Sequence, residues 1–207
     1  MVTGFGGAAL AVLSGYLLLF LWGGTLAARA AGRPIWLFGR ARGPDRWAAR
    51  GFRAAFALPF LGALLWGIWP SLQELDPFRI EEGAMARGLT GIFLAGLGAM
   101  LAFAAQMSMG SSWRVGVAEG ATGTLVPGGL YRFSRNPTFM GQCLLLVGVA
   151  LAVPAVPAIL APLLFFWAAS TQVRSEEAEL TRALGAEYRR YLETVPRWIG
   201  PDRRNVR

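Results

Sequence analysis

Long apolar runs with almost no charge constrain this chain more than any other feature of its sequence. Three of them extend from about Phe5 to Ala28, from about Phe52 to Trp69 and from about Gly88 to Met109. Each run has about the 20 residues that a helix needs to cross roughly 30 Å of hydrocarbon. The chain is therefore predicted to fold as an all-α bundle that is integral to a membrane.

A fourth apolar run, from Phe139 to Ala169, is interrupted by Pro154 and Pro157. It is too long for one crossing and suits two helices that meet at a tight turn near Val153 to Pro157, because proline ends a helix. About five transmembrane helices are therefore predicted. Small residues of the third and fourth spans are expected to be helix contact points, namely Gly91, Gly96, Gly98, Gly141 and Gly148.

The composition is that of one small membrane domain with several spans. Apolar residues make up 55% of the chain and charged residues 15%, with a mean hydropathy of +0.45. The domain is predicted to comprise two spans and their loops in 1–87, a core in 88–199 and a tail in 200–207. The first span is too long for a secretory signal and has no basic segment before it, so we expect it in the mature protein.

Arginines determine the predicted orientation in the membrane. Seven of them follow the first span against a single Asp45, whereas four acidic residues follow the second span against two arginines. The positive-inside rule then puts the N-terminus outside and the C-terminus in the cytoplasm, in the inner membrane if the cell is bacterial. The formal charge of +8 is expected to face anionic lipid headgroups of the bilayer rather than nucleic acid.

The lack of histidine excludes several kinds of catalytic site. With no His and one Cys, Cys143, the chain cannot form a Ser-His-Asp or Cys-His hydrolase site, a His/Cys zinc site, a His-ligated haem or an iron–sulfur cluster. No metal is expected. The first three spans have no ionisable residue near their centres, which disfavours an ion pump or a carrier of charged solutes. Any chemistry is therefore expected at the cytoplasmic ends of the spans.

A polar segment rich in Gly and Pro precedes the fourth span. Between Gly123 and Tyr131, Gly128 and Gly129 allow the backbone to approach a small ligand closely. The same composition is also typical of a simple connecting turn. The segment is therefore either part of a ligand site or only a connector.

The start of the fourth span carries a second signal. Asn136 is expected to cap the helix and Pro137 to occupy its first position, where a missing N–H costs nothing. The helix dipole would then favour an anionic group near Thr138 and Phe139. The alternative is ordinary capping beside an Arg135 that reaches into the headgroup region.

Charge returns after the fifth span. The segment from Arg174 to Leu192 is predicted to form an amphipathic helix with its apolar stripe on Leu180, Leu184, Tyr188, Tyr191 and Leu192. Glu176 and Glu177 stand near its start, either as a solvated first turn or as part of a site. Because a hairpin of two spans returns them to the side of Asn136, a site shared by the two polar segments is predicted.

Five short motifs follow one another over about residues 106–199. They are, in order, Leu-Val-x-x-Gly-x-Tyr, Arg-x-Pro-x-aromatic-x-Gly, Glu-Glu-x-x-Leu, Gly-x-Glu-Tyr and Val-Pro-Arg. In this order and spacing they resemble the isoprenylcysteine carboxyl methyltransferase and phospholipid methyltransferase family. The resemblance implies a membrane methyltransferase that uses S-adenosylmethionine near the cytosolic face. The methyl acceptor would be a lipophilic or small molecule that is reached from the bilayer.

The same resemblance implies a set of cofactor contacts. They are Gly123, Thr124, Leu125, Val126, Tyr131, Asn136, Pro137, Thr138, Phe139 and Glu176. Glu176 would make a direct polar contact, while Tyr131 and Phe139 would wall the cofactor and favour its sulfonium by cation–π attraction. Family members often carry His and Tyr where this chain has Asn136 and Phe139.

Catalytic roles are assigned to Arg135, Arg174 and Glu177, and an acceptor contact to Gln172. Either arginine would orient an anionic acceptor or the cofactor carboxylate through a bidentate contact. Gln172 stands where related enzymes carry an Arg for a prenylcysteine, so a prenylcysteine carboxylate is not the expected acceptor. Methyl transfer from a sulfonium is an in-line displacement that needs alignment and desolvation more than a base, which suits a chain without His.

Two other functions remain open on the sequence. Membrane reductases of the sterol reductase type have similar C-terminal helices and would bind NADPH. A non-catalytic membrane scaffold would bind neither cofactor, but it leaves the pairing of the two polar segments unexplained.

Overall fold

The structure, a computed structural model, describes residues 4–32, 34–35, 43–77, 82–113 and 125–199. These residues form seven α-helices and no strand: α1 (Gly4–Ala31), α2 (Pro44–Ile68), α3 (Ser71–Leu75), α4 (Ala84–Ser108), α5 (Pro137–Ala152), α6 (Val156–Leu184) and α7 (Ala186–Thr194). By length and composition α1, α2, α4 and α6 can each cross a membrane, and α5 is a shorter apolar helix. The predicted all-α membrane bundle is confirmed.

The fourth apolar run forms a helical hairpin, as its prolines predict. Helix α5 ends at Ala152 and α6 begins at Val156, inside the predicted turn. With 16 residues, α5 is about 24 Å long and somewhat shorter than the hydrocarbon layer. Helix α6 is longer, since it continues through Arg174 to Leu184 and extends a polar part beyond its apolar one.

Contacts along the helices give their relative directions. Helices α1 and α4 are parallel, because Phe5 packs on Gly88 near one end while Gln106 Nε2 donates to the carbonyl oxygen of Phe20 (3.0 Å) near the other. Helices α2 and α6 are antiparallel, because Ser175 Oγ donates to Asp45 (2.7 Å) at the start of α2, while Gly62 near the end of α2 faces Ala158 at the start of α6. The starts of α2 and α5 and the ends of α1, α4 and α6 therefore share one end of the bundle, here called the polar end.

Glycines bring α4 and α5 into backbone contact. A Cβ at Gly98 would lie 2.3 Å from the backbone nitrogen of Leu145, and one at Gly141 would lie 2.4 Å from that of Ala102. Such close approach supplies dispersion contacts between the two helices. These contacts hold helices together in lipid, where no hydrophobic force drives them to associate. Gly91 and Gly148 also lie against the facing backbone, with nearest atoms 2.7 Å and 2.3 Å from an added Cβ. A Cβ at Gly96 would meet no atom of the described residues within 4 Å, so the contact expected there is wrong.

Aromatic rings fill the bundle below the polar end. Phe52 of α2 packs on Phe165 of α6 with ring centroids 5.4 Å apart, and Phe139 in the first turn of α5 packs on both. Deeper in the bundle, Gln142 Nε2 donates to the hydroxyl of Tyr16 (2.6 Å). Phe139 thus lies where the packed core meets the polar end.

The predicted helix from Arg174 to Leu192 is divided in the structure. Gly185 has a φ of 56°, a left-handed conformation that ends α6 and lets α7 turn away. Because α6 already begins at Val156, Glu176 and Glu177 lie well inside a long helix and not in a first turn. This correction matters because a helix that continues from the bundle holds both carboxylates more rigidly than a separate tail would.

Orientation in the membrane is testable with single cysteines. In a Cys143→Ala background, we expect Leu75→Cys, after α2, to react with a membrane-impermeant maleimide on intact cells. Glu193→Cys, on α7 at the polar end, should react only after lysis, because the positive-inside rule puts the polar end in the cytoplasm. Labelling of Glu193→Cys in intact cells would show that the orientation is the opposite of the expected one.

Candidate functional site

A cavity of about 90 Å³ lies at the polar end. It is partly open, and it is bounded by the end of α4, the segment before α5, the first turn of α5, the polar part of α6 and α7. Its walls are Met109, Trp113, Leu125, Val126, Tyr131, Arg135, Asn136, Thr138, Phe139, Gln172, Val173, Glu176, Glu177, Leu180, Tyr188 and Tyr191. The two polar segments, which two apolar helices separate in sequence, therefore meet around one space.

Most of the residues that the sequence singles out share this cavity. Ten of them line it: Leu125, Val126, Tyr131, Arg135, Asn136, Thr138, Phe139, Gln172, Glu176 and Glu177. Pro137 is buried at the first position of α5 without lining the cavity. Arg174 is exposed and donates to the hydroxyl of Thr171 (3.3 Å), also outside the lining. Gly123 and Thr124 lie outside the described residues.

The first turn of α5 is built differently from the expected cap. Asn136 occupies the N-cap position, but its side chain makes no capping hydrogen bond. Instead its Nδ2 donates to the carbonyl oxygen of Arg197 (2.9 Å). The Asn136 side chain, which was expected to cap the helix, thus connects the start of α5 to the segment after α7.

Tyr131 is held from three sides. Its hydroxyl lies 3.3 Å from Thr138 Oγ1 and 3.4 Å from the carbonyl oxygen of Ala105, and its own carbonyl accepts from the Tyr191 hydroxyl (2.6 Å). Burial raises the pKa of the Tyr131 phenol, so it stays neutral. The ring of Tyr131 is therefore a fixed wall of the cavity, and its hydroxyl is engaged in the scaffold.

An ion cluster of Arg135, Glu177 and Arg197 borders the cavity. Arg135 donates from Nε (3.1 Å) and Nη2 (2.7 Å) to Glu177 Oε1, and Arg197 donates from Nε to Oε1 (3.1 Å) and from Nη2 to Oε2 (2.5 Å). The remaining Nη1 of Arg135 donates to the carbonyls of Leu192 and Val195, at the end of α7. One carboxylate thus joins α6 to the segments before α5 and after α7.

The environment of Glu177 keeps it ionised. Burial acts to raise the pKa of this carboxyl, but hydrogen bonds from Arg197 and Arg135 outweigh it, and the pKa lies below its ordinary value. All three guanidinium nitrogens of Arg135 donate to protein acceptors. In this geometry Arg135 and Glu177 hold α6 to the segments before α5 and after α7. Their assignment to catalysis stays a prediction.

Sequence reasoning did not assign several residues that the structure brings to the site. Tyr188 and Tyr191 line the cavity, and a signal for them was present, because both lie on the predicted apolar stripe and Tyr188 ends the Gly-x-Glu-Tyr motif. Arg197 ends the Val-Pro-Arg motif. Trp113 is buried, and its indole Nε1 has no hydrogen-bond partner in the described part of the chain. No sequence pattern points to Trp113.

Metal ligands do not cluster in the described ranges. They contain no group of three or more His, Cys, Asp or Glu side chains that could hold an ion.

Fold and cavity together define the class of protein. It is an all-helical integral membrane protein with a partly aromatic cavity at one end of its bundle. Residues 86–187 match the phospholipid methyltransferase family, and over this half of its length the chain belongs to that family. No curated protein and no solved structure matches the chain. Family membership indicates methyl transfer to a lipid-type substrate in a membrane.

Proposed function

We propose that the cavity binds S-adenosylmethionine and that the protein transfers a methyl group from it to a lipophilic acceptor at the cytoplasmic membrane surface. The observation that carries the proposal is the meeting of the two polar segments around one cavity, inside a chain that belongs to a methyltransferase family. A scaffold would need no such cavity, and family membership favours methyl transfer over reduction.

The walls of the cavity fit the chemistry of this cofactor. Tyr131, Phe139 and Tyr188 offer aromatic surface for an adenine ring and for a positively charged sulfonium. Glu176 offers a carboxylate to the ammonium group, and the N-terminal turn of α5 at Thr138 favours a carboxylate. We therefore assign Leu125, Val126, Tyr131, Asn136, Thr138, Phe139 and Glu176 to cofactor binding.

When bound, the cofactor supplies a methyl group on an electrophilic sulfonium. The protein's own task is to align the acceptor and exclude water, since an in-line displacement gains most from orientation and desolvation. Gln172, which is buried on α6, is proposed to contact the acceptor. Arg174 is exposed on the same helix and is proposed to meet an anionic group of the acceptor at the membrane surface.

Substitution of Glu176 tests the cofactor assignment. We expect detergent-purified wild type to bind S-adenosylhomocysteine saturably in a calorimetric titration. Glu176→Gln should bind it about 10 to 100 times more weakly, since the hydrogen bond to the ammonium group loses the charge of its carboxylate acceptor. Glu193→Gln removes the same charge from an exposed position on α7 and should bind like wild type. Binding of NADPH instead of S-adenosylhomocysteine would support a reductase, and binding of neither would support a scaffold.

A further inference from the structure

The segment Val195–Trp198, here called the strap, follows α7 and lies against the start of α5. The backbone N–H of Arg135 donates to the carbonyl of Pro196 (3.0 Å), and Asn136 Nδ2 donates to that of Arg197 (2.9 Å). These bonds connect the strap to two residues that line the cavity. The position of the strap therefore affects the wall of the site.

Arg197 fastens the strap on its other side. Its guanidinium makes two hydrogen bonds to Glu177, yet its side chain is 41% exposed, against 12% for Glu177 and 10% for Arg135. Arg197 does not line the cavity. Without Arg197, the mostly buried pair of Arg135 and Glu177 still has no net charge. The loss of Arg197 therefore leaves neither of these two side chains without an oppositely charged partner.

The end of the strap reaches the apolar surface of the bundle. The Trp198 ring packs on Phe166 of α6 with centroids 5.4 Å apart, and Phe166 is half exposed on the apolar part of that helix. Tryptophan favours the boundary between lipid and water. The strap thus extends from the edge of the cavity to the membrane-facing surface.

We propose that docking of the strap organises the cavity for its cofactor and that Arg197 is the positioning residue for this docking. The proposal rests on the proposed function. Arg197 ends the Val-Pro-Arg motif and lies beyond residues 86–187, which match the family model. It acts through Asn136 and Glu177 rather than by touching the cofactor. An undocked strap removes the carbonyl partner of the Asn136 amide and one of the two arginines that hold the carboxylate of Glu177 at the cavity wall.

Two measurements on three variants test the proposal. Hydrogen exchange of the Arg135 amide reports docking directly, because this N–H is bonded to the strap, and calorimetry with S-adenosylhomocysteine reports the site. For Arg197→Gln we expect faster exchange at Arg135 and about tenfold weaker binding. Arg197→Lys should recover part of both, since an ammonium still pairs with Glu177. Arg190→Gln, an equal charge change on the exposed side of α7, should alter neither.

The outcomes separate this proposal from the proposed function. Unchanged exchange at Arg135 in Arg197→Gln would overturn the docking role, and faster exchange with unchanged affinity would overturn the link to the cofactor. Failure of wild type to bind S-adenosylhomocysteine would sink the proposed function and with it the cofactor link. Faster exchange in Arg197→Gln would in that case show that the strap only stabilises the fold.

Discussion

Gly98→Leu is expected to prevent stable assembly of the bundle. The added side chain would have to enter the space of the α5 backbone, because even a Cβ would lie 2.3 Å from the nitrogen of Leu145. A backbone cannot give way as a flexible side chain does, so the cost should exceed the roughly 1–3 kcal/mol of an ordinary overpacked core. Size-exclusion profiles and SDS-titration stability of detergent-purified protein measure it.

Gly96→Leu is the matched control for this substitution. It makes the same change two residues earlier on α4, where a Cβ would meet no atom within 4 Å in the part of the chain that the structure describes. We expect it to purify as a folded protein with nearly the stability of wild type. If the Gly98 and Gly96 variants were equally stable, close packing of α4 on α5 would not hold the bundle together.

Glu177→Ala is expected to destabilise the protein by up to about 3 to 5 kcal/mol, the usual cost of removing one partner from a buried ion pair, because Glu177 and Arg135 are mostly buried. The guanidinium of Arg135, only 10% exposed, would lose its counter-charge. The same SDS titration measures the loss, and Glu193→Ala, exposed on α7, is its control. Replacing Arg135 by Met and Glu177 by Leu together should recover part of the stability, because the charge then left without a partner is that of Arg197, whose side chain is 41% exposed and reaches water.

The contribution of Glu177 should also depend on pH in one direction. Its folded-state pKa lies below its ordinary value, so the stabilisation is complete above the unfolded-state pKa of about 4.3 and is lost as the pH falls through the folded-state pKa. The stability difference between wild type and Glu177→Gln should therefore be constant near neutral pH and shrink in acid. A difference that grew in acid would contradict the ion pairing.

Stability and ligand binding should separate in these variants. Glu176→Gln is expected to weaken binding without unfolding the protein, whereas Glu177→Ala is expected to lower the stability first. The two carboxylates are adjacent on α6, yet Glu177 takes hydrogen bonds from Arg135 and Arg197. Their adjacent positions in the sequence do not predict that one carboxylate binds ligand and the other stabilises the fold. The segments that pack around each carboxylate determine this difference.

Much of the architecture was predictable because a membrane limits what a chain can do. Backbone groups in lipid must bond within their own segment, so an uncharged run of about 20 residues is a helix. Pro154 and Pro157 likewise predict the hairpin between α5 and α6, because proline ends a helix. The meeting of the two polar segments followed from the same reasoning, since two crossings return the chain to the side from which it started.

Side-chain partners were less predictable. Asn136 occupies the expected N-cap position, but its side chain bonds to Arg197 instead of capping α5. A contact point was expected at Gly96, but an added Cβ would meet no atom of the described residues within 4 Å. A single helix gives no information about which neighbour it meets or at what height. The helix break at Gly185 was missed because Leu180, Leu184, Tyr188 and Leu192 continue one apolar stripe at helical spacing across it.

The sequence by itself determined the spans, the hairpin and the pairing of its polar segments, because hydropathy and chain length act locally and need no knowledge of neighbours. Only the tertiary structure decided that Glu177 joins three segments through Arg135 and Arg197, and that Tyr188 and Tyr191 complete the cavity. These contacts join residues far apart in the chain. They depend on helix heights and rotations that close packing sets and that no local pattern records.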